Sequence, residues 1–142
     1  MRITGNRRQT KRSGAAIVEF AILLPLLVYL FGIGVDWARA FYYHLTITNA
    51  SRNAANWGCD SPSRSTDTAG IEAIARRDTT SLGAGVTVAS SVVTSGGINY
   101  LRVTVSYSFE PLTGLPGTPA QQTIYQTTET RILPTEPRAG TY

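Results

Sequence analysis

The stretch GAAIVEF, residues 14–20, opens an apolar run that continues to Val35. Residues 15–35 are 21 positions, and Glu19 is the one charged side chain among them. A helix needs roughly 20 predominantly apolar residues to cross a bilayer. The run therefore predicts a membrane-spanning helix close to the start of the chain.

Charge is distributed unevenly along this chain. The leader, residues 1–14, has no acid and five basic residues, namely Arg2, Arg7, Arg8, Lys11 and Arg12. Because lysine and arginine accumulate on the cytoplasmic side, the N-terminus is predicted to be cytoplasmic and everything after Asp36 to lie outside. The formal charge is +4, but the part from Ala15 onward has 8 basic and 9 acidic residues, a net of −1. The basic character belongs to the leader, and no nucleic-acid partner is predicted.

The acid inside the apolar run is the most informative single residue. An ionised carboxylate in hydrocarbon costs at least a few kcal/mol, so Glu19 is predicted to have a function. The alternative is a plain signal anchor whose Glu19 lies near enough to the headgroups to reach water. A secretory signal peptide is disfavoured, because its apolar region is typically about 7 to 15 residues long.

The order of the signal residues resembles a known type of export signal. Gly14 follows the basic leader, Glu19 is the fifth residue after it, and the aromatic Phe20 comes next. This arrangement resembles the class III signal of type IV pilin-like proteins, which a prepilin peptidase cuts after the glycine. When residues beyond the membrane are included, the chain resembles the TadE-like proteins. The similar segments lie in about the first 60 residues, at positions 13–21, 23–27, 36–43 and 49–55.

TadE-like proteins are minor pilin-like (pseudopilin) components of bacterial tight-adherence, or Flp, pili. The resemblance implies that Gly14 supplies the carbonyl at the cut and Ala15 the new amino group. It also implies an assembly site at Glu19 and Phe20, where the carboxylate offsets the Ala15 amine of a neighbouring subunit. In many type IV pilins the first residue after the cut is a methylated phenylalanine. Here that residue is Ala15, so its methylation is not inferred. The implied partners are the prepilin peptidase, other pilins or pseudopilins, the pilus assembly platform and membrane lipid.

Residues 15–58 are predicted to form the membrane helix and an amphipathic stalk that continues from it. Pro25 predicts a kink, Gly32 and Gly34 allow close approach of a partner helix as an alternative, and Trp37 fits the outer aromatic belt. Gly58 is the predicted stop. The predicted apolar stripe is Trp37, Phe41, Leu45, Thr48, Ala50, Ala54 and Trp57, and the opposite surface is Arg39, Asn49, Arg52 and Asn56. The stripe suits packing beside like helices or against the chain's own sheet, and both can hold along different lengths.

Residues 59–142 are predicted to form an extracytoplasmic head of α+β class. A loop at residues 59–68 precedes a short helix at 69–80, capped by Asp67 or Thr68 and ended by Gly83 and Gly85. Strands are predicted at residues 86–93, 101–109 and 122–133, with a loop at 111–119. The fold class is therefore α+β and pilin-like, with a long membrane helix and stalk, one short helix and a small three-stranded antiparallel sheet.

No catalytic, cofactor or metal site is predicted, so the chain is not expected to be an enzyme. Cys59 and His44 are the single cysteine and the single histidine, which leaves neither an internal disulfide nor a zinc site. Cys59 is predicted to be a buried thiol, with pairing to another chain as the alternative. The predicted location is the bacterial cytoplasmic (inner) membrane as a single-pass protein, or the pilus itself. The competing function is an unprocessed, signal-anchored extracytoplasmic binding or scaffold protein.

Overall fold

The computed structural model describes residues 13–134. The basic leader at residues 1–12, and Pro137 in the tail, lie outside the described residues. The described chain begins with α1 (Ser13–Gly58), α2 (Pro62–Thr66) and α3 (Thr68–Asp78). A 3-10 turn at Thr80–Gly85 leads into β1 (Val86–Ser95), β2 (Ile98–Phe109) and β3 (Gln122–Arg131). The predicted class, a long N-terminal helix with an antiparallel α+β head, is confirmed.

Helix α1 has 46 residues and continues through Pro25 into the head. At 1.5 Å per residue it is about 69 Å long. The helix ends at Gly58 as predicted. The reason given for this end, a left-handed glycine, is wrong, because Gly58 does not have a positive φ. Glycine is needed there for space: a Cβ would lie 2.4 Å from Leu101 Cδ2 and 3.1 Å from Ile71 Cγ1. Gly58 therefore lets the end of α1 pack directly on β2 and α3.

The segment after α1 is more helical than predicted. The expected loop at residues 59–68 contains α2, which begins at Pro62 with Ser61 as its N-cap. The cap of the next helix is confirmed at Asp67, whose Oδ1 accepts a hydrogen bond from the Gly70 amide at 2.9 Å. Helix α3 ends at Asp78, close to the predicted end near residue 80, and the chain then tightens into the 3-10 turn.

The sheet has the order β1-β2-β3, and both neighbouring pairs are antiparallel. In the register, Val88 and Gln126 lie opposite Val105 on its two sides. Gly96 and Gly97 form the turn between β1 and β2, and both have positive φ, which glycine adopts without steric cost. The predicted alternation of β2 is confirmed at residues 101, 103, 105 and 109, which are buried.

The core of the head lies between one face of the sheet, the distal half of α1, and α3. Fully buried side chains come from all three layers, namely Ile47, Ala50, Ala54, Ala55, Ile71, Ala75, Leu101, Val103 and Val105. Each large aliphatic side chain buried in this way contributes about 1.5–3 kcal/mol. Helix α1, whose apolar N-terminal part is a candidate membrane anchor, is therefore also the central core helix of the head.

The predicted apolar stripe on the stalk divides into two parts. Ala50 and Ala54 face the core, and Trp57 packs against it. By contrast, the side chains of Trp37, Phe41 and Leu45 are exposed and do not belong to the core. Arg39 was expected on the solvent face, and this is wrong because it is half-buried against the head.

Candidate functional site

Residues 14–28 are the part of α1 that no other described element covers, and every residue in it is exposed. The segment is long and apolar enough to be a candidate membrane anchor. Glu19 is its single charged residue. The bare helix therefore presents one carboxylate on an otherwise apolar surface.

The residues predicted for processing and assembly lie at the start of this bare segment. Gly14 and Ala15 are in the first turn of α1. Glu19 lies four residues after Ala15, on the same helix face and about 6 Å further along the axis. Glu19 forms no ion pair with any described residue, and Phe20 beside it is exposed. Within one chain, the carboxylate is left without a positive partner in the described region.

The most elaborate polar contact joins the outer end of the apolar run to the loop after β2. The Asp36 side chain is fully buried. Its Oδ1 accepts a hydrogen bond from the Leu112 amide at 2.7 Å. Its Oδ2 accepts one from the Thr113 amide at 3.0 Å and one from the Thr113 hydroxyl at 2.5 Å. These bonds, with that from the Thr113 hydroxyl foremost, hold the pKa of Asp36 below its ordinary value against the opposing effect of burial.

Arg39 lies beside this carboxylate, on the side that faces the head. Its Nη1 lies 3.4 Å from Asp36 Oδ1, and its Nη2 donates a hydrogen bond to the Tyr43 hydroxyl at 3.3 Å. The guanidinium also lies over the rings of Tyr43 and Phe109, 5.6 and 5.9 Å from their centroids. The hydrogen bond to Tyr43 is the main reason that the pKa of Arg39 is raised. Arg39 therefore remains a cation, and its charge adds a smaller contribution to the lowered pKa of Asp36 than the hydrogen bonds from Leu112 and Thr113 do.

Residues 111–120, here called the clasp loop, are bound to α1 at two further points. The Tyr29 hydroxyl donates to the Pro116 carbonyl oxygen at 2.5 Å, and Trp37 Nε1 donates to the Gly117 carbonyl oxygen at 3.0 Å. The loop predicted at residues 111–119 is therefore docked along the apolar helix.

Gly32 of α1 lies beneath the clasp loop. A Cβ at Gly32 would lie 3.3 Å from Leu115 Cδ1, whereas one at Gly34 would meet nothing within 4 Å. The close approach at Gly32 is therefore to the chain's own loop.

Cys59 and His44 lie apart from this region. Cys59 is half-buried, its Sγ donates to the Asn56 carbonyl oxygen at 3.3 Å, and burial raises the pKa of its thiol. His44 is exposed on the stalk. Within residues 13–134, no group of three or more His, Cys, Asp and Glu side chains is arranged to hold a metal ion.

Sequence reasoning missed Asp36, Arg39 and Tyr29 as contact residues. Asp36 was interpreted only as the first charge after the membrane run. One signal was present: the loop that follows Glu110 contains three prolines and no charge, which is unusual for an exposed connection.

One of three comparisons with known proteins agrees with the resemblance found in the sequence. A search of curated proteins and a search of solved structures both found no match. The family model described as TadE-like protein matches residues 14–56. This match begins at Gly14 and covers the bare helix, Asp36 and most of the stalk. The suspected family is thereby confirmed over this segment, and residues 14–56 of the chain are TadE-like.

Proposed function

We propose that this chain is a minor pilin-like (pseudopilin) component of a bacterial tight-adherence pilus system. The TadE-like match over residues 14–56 carries this proposal, because the matched segment contains both Gly14 and Glu19. A TadE-like segment suggests a protein associated with tight-adherence pili, and it implies contact with other pilus components. The chain would be held in the cytoplasmic membrane by α1, with its head outside.

Maturation would consist of one peptide-bond hydrolysis between Gly14 and Ala15, catalysed by a prepilin peptidase. Water adds to the Gly14 carbonyl carbon, the C–N bond breaks, and the Ala15 nitrogen leaves as an amine that takes up a proton. The membrane helix keeps its length, because only the leader is released. Both residues are exposed in the first turn of α1, which suits access by the peptidase.

The mature chain would carry one new positive charge close to Glu19. An unpaired charge in hydrocarbon costs about 2.5–3.5 kcal/mol on insertion scales. Glu19 has no cationic partner among the described residues, so the Ala15 amine of a neighbouring subunit would offset this cost. Phe20 would contact the same neighbour through its exposed ring.

The exposed stripe on the stalk supports a second contact between subunits, further along α1. Trp37, Phe41 and Leu45 follow steps of four, and the side chains of Phe41 and Leu45 are 63% and 62% exposed. Residues at this spacing lie on one helix face and suit packing beside another helix. The stripe would therefore extend the helix contact beyond the membrane.

The competing proposal is an unprocessed, signal-anchored binding or scaffold protein outside the cytoplasm. It shares the anchor and the head but leaves the leader in place. The test is the intact mass of the membrane-extracted protein, produced with its native prepilin peptidase and in the same strain without it. Loss of residues 1–14 only with the peptidase present supports the pseudopilin function, and an uncleaved chain in both strains supports the competing one.

A further inference from the structure

The clasp loop has an unusual composition for a loop on the surface of a head. No charged residue occurs between Glu110 and Glu129. Leu112 is 72% exposed, and the loop also contains Leu115 and three prolines. An exposed leucine is unfavourable in water, whereas at a lipid surface its apolar side chain leaves the water and stabilises the position of the loop.

Its position along α1 places the loop at the outer edge of the membrane span. With 1.5 Å per residue, Tyr29 lies about 21 Å and Trp37 about 33 Å from Ala15 along the helix axis. The hydrocarbon layer of a bilayer is about 30 Å thick. The loop is bound at Tyr29 through Pro116 and at Trp37 through Gly117, so it spans the level at which the hydrocarbon meets the headgroups.

Backbone N–H and C=O groups of the loop also form hydrogen bonds within the protein, as a site with little water requires. Non-helical backbone near lipid is tolerated where the protein satisfies its hydrogen bonds. Asp36 accepts hydrogen bonds from the amides of Leu112 and Thr113. The Thr118 amide donates one to the Leu115 carbonyl oxygen at 3.0 Å. Tyr29 and Trp37 satisfy two carbonyl oxygens, and the prolines have no N–H to satisfy.

We propose that the clasp loop is immersed in the outer leaflet, at the boundary between headgroups and acyl chains, with Leu112 in contact with lipid. The occupant of this surface is bilayer lipid, because the surface is continuous with the membrane helix to which the loop is bound. Asp36 is then the buried carboxylate that holds the loop against α1 at this boundary. This proposal rests on α1 spanning the membrane and is independent of any pilus.

The test uses the full chain with Cys59→Ser, so that one introduced cysteine carries a nitroxide spin label. The labelled positions are Leu112→Cys, Leu23→Cys in the bare helix as a lipid reference, and Ser91→Cys on the exposed face of β1 as a water reference. Each protein is reconstituted in vesicles of phosphatidylethanolamine and phosphatidylglycerol, with a nickel chelate on both sides. Collision rates of the label with lipid-soluble oxygen and with the water-soluble nickel chelate are then measured.

We expect the oxygen-to-nickel collision ratio at Leu112 to be several-fold higher than at Ser91 and to approach that at Leu23. A ratio at Leu112 equal to that at Ser91, with Leu23 still in lipid, overturns the loop proposal and leaves the membrane helix intact. A label at Leu112 that neither reagent reaches is covered by protein, such as a second copy, and overturns it as well. Nickel access at Leu23 would overturn the span itself, which the intact-mass experiment does not address.

Discussion

The Asp36 carboxylate accepts two hydrogen bonds from one residue, Thr113, through its amide at 3.0 Å and its hydroxyl at 2.5 Å. The two residues are 77 positions apart in the chain. This pair fixes the clasp loop at the point where α1 passes from its bare segment into the head. The contact therefore holds the loop against α1.

Asp36→Asn is expected to release the clasp loop while the sheet remains folded. One carboxylate oxygen is replaced by an NH₂ group, which donates hydrogen bonds and cannot accept them. This group would face either the Leu112 amide or the Thr113 amide and hydroxyl, and the hydrogen bonds that they donate there would be lost. We expect hydrogen exchange at the Leu112 and Thr113 amides to quicken on the order of tenfold or more. Thr113→Val, which removes only the hydroxyl bond, should give a smaller increase. Unchanged exchange in Asp36→Asn, with the β2 amides equally protected, would contradict this role.

The docking of the loop is expected to depend on pH in the acid range. The pKa of Asp36 is lowered in the folded chain from its ordinary value of 3.8. The ionised form therefore stabilises the docked loop fully above pH 3.8, and this contribution is lost as pH falls below 3.8 through the lowered pKa. Loop amide exchange, corrected for its intrinsic pH dependence, should rise in that range and stay flat between pH 5 and 7. Asp36→Asn should lack the rise, and an equal rise in both proteins would assign it to another group.

Gly58→Ala is expected to destabilise the head. The added Cβ would lie 2.4 Å from Leu101 Cδ2, and overpacking of this kind costs about 1–3 kcal/mol. The melting temperature in detergent, followed by circular dichroism, should fall by roughly 4–8 °C per kcal/mol. Gly34→Ala is the matched control, because its Cβ meets nothing within 4 Å. Equal melting temperatures for the two variants would show that α1 and β2 adjust without cost.

Phe41→Ala is expected to weaken association between subunits and to leave the fold intact. Its side chain is exposed, so the change in the free energy of unfolding should stay within about 0.5 kcal/mol. Ile47→Ala, in the core on another face of the same helix, should cost about 2–5 kcal/mol. Melting temperature and co-purification with other pilin subunits separate the two effects. Normal co-purification of Phe41→Ala would remove the stripe from the assembly contact.

Gly14→Ala is expected to block maturation, whereas Glu19→Ala should leave cleavage largely intact and impair incorporation into pili. The first change alters the residue at the cut, and the second removes the charge that would offset the Ala15 amine. Intact mass and a count of pili on cells separate the two phenotypes. Glu72→Ala, at an exposed ion pair with Arg76, is the control for loss of a carboxylate elsewhere. Normal pili in both test mutants would contradict the assembly role.

Local sequence signals predicted the elements of this fold better than their contacts. The long N-terminal apolar helix, the alternation of β2 and the cap at Asp67 each depend on a few neighbouring residues, and all were correctly predicted. Helix α2 was missed because five residues around Pro62 do not form a periodic pattern. The role of Asp36 depends on Leu112 and Thr113, 76 and 77 positions away. That of Arg39 depends in part on Phe109 in β2, and no local pattern records such contacts. The buried face of the stalk was also only partly predicted, because aromatic side chains suit both a core and a partner surface.

The backbone bond from the Leu133 amide to the Cys59 carbonyl oxygen, at 2.8 Å, closes the head onto the end of α1. Together with the core around Ala50 and Ala54, it joins α1 to the head along the same helix that forms the bare segment. A pull on the membrane end of α1 would therefore be transmitted as tension through the core itself. If the bare segment of α1 is drawn out of the bilayer, the head must move together with it. The clasp loop, which is bound to α1, must then leave the lipid in the same step.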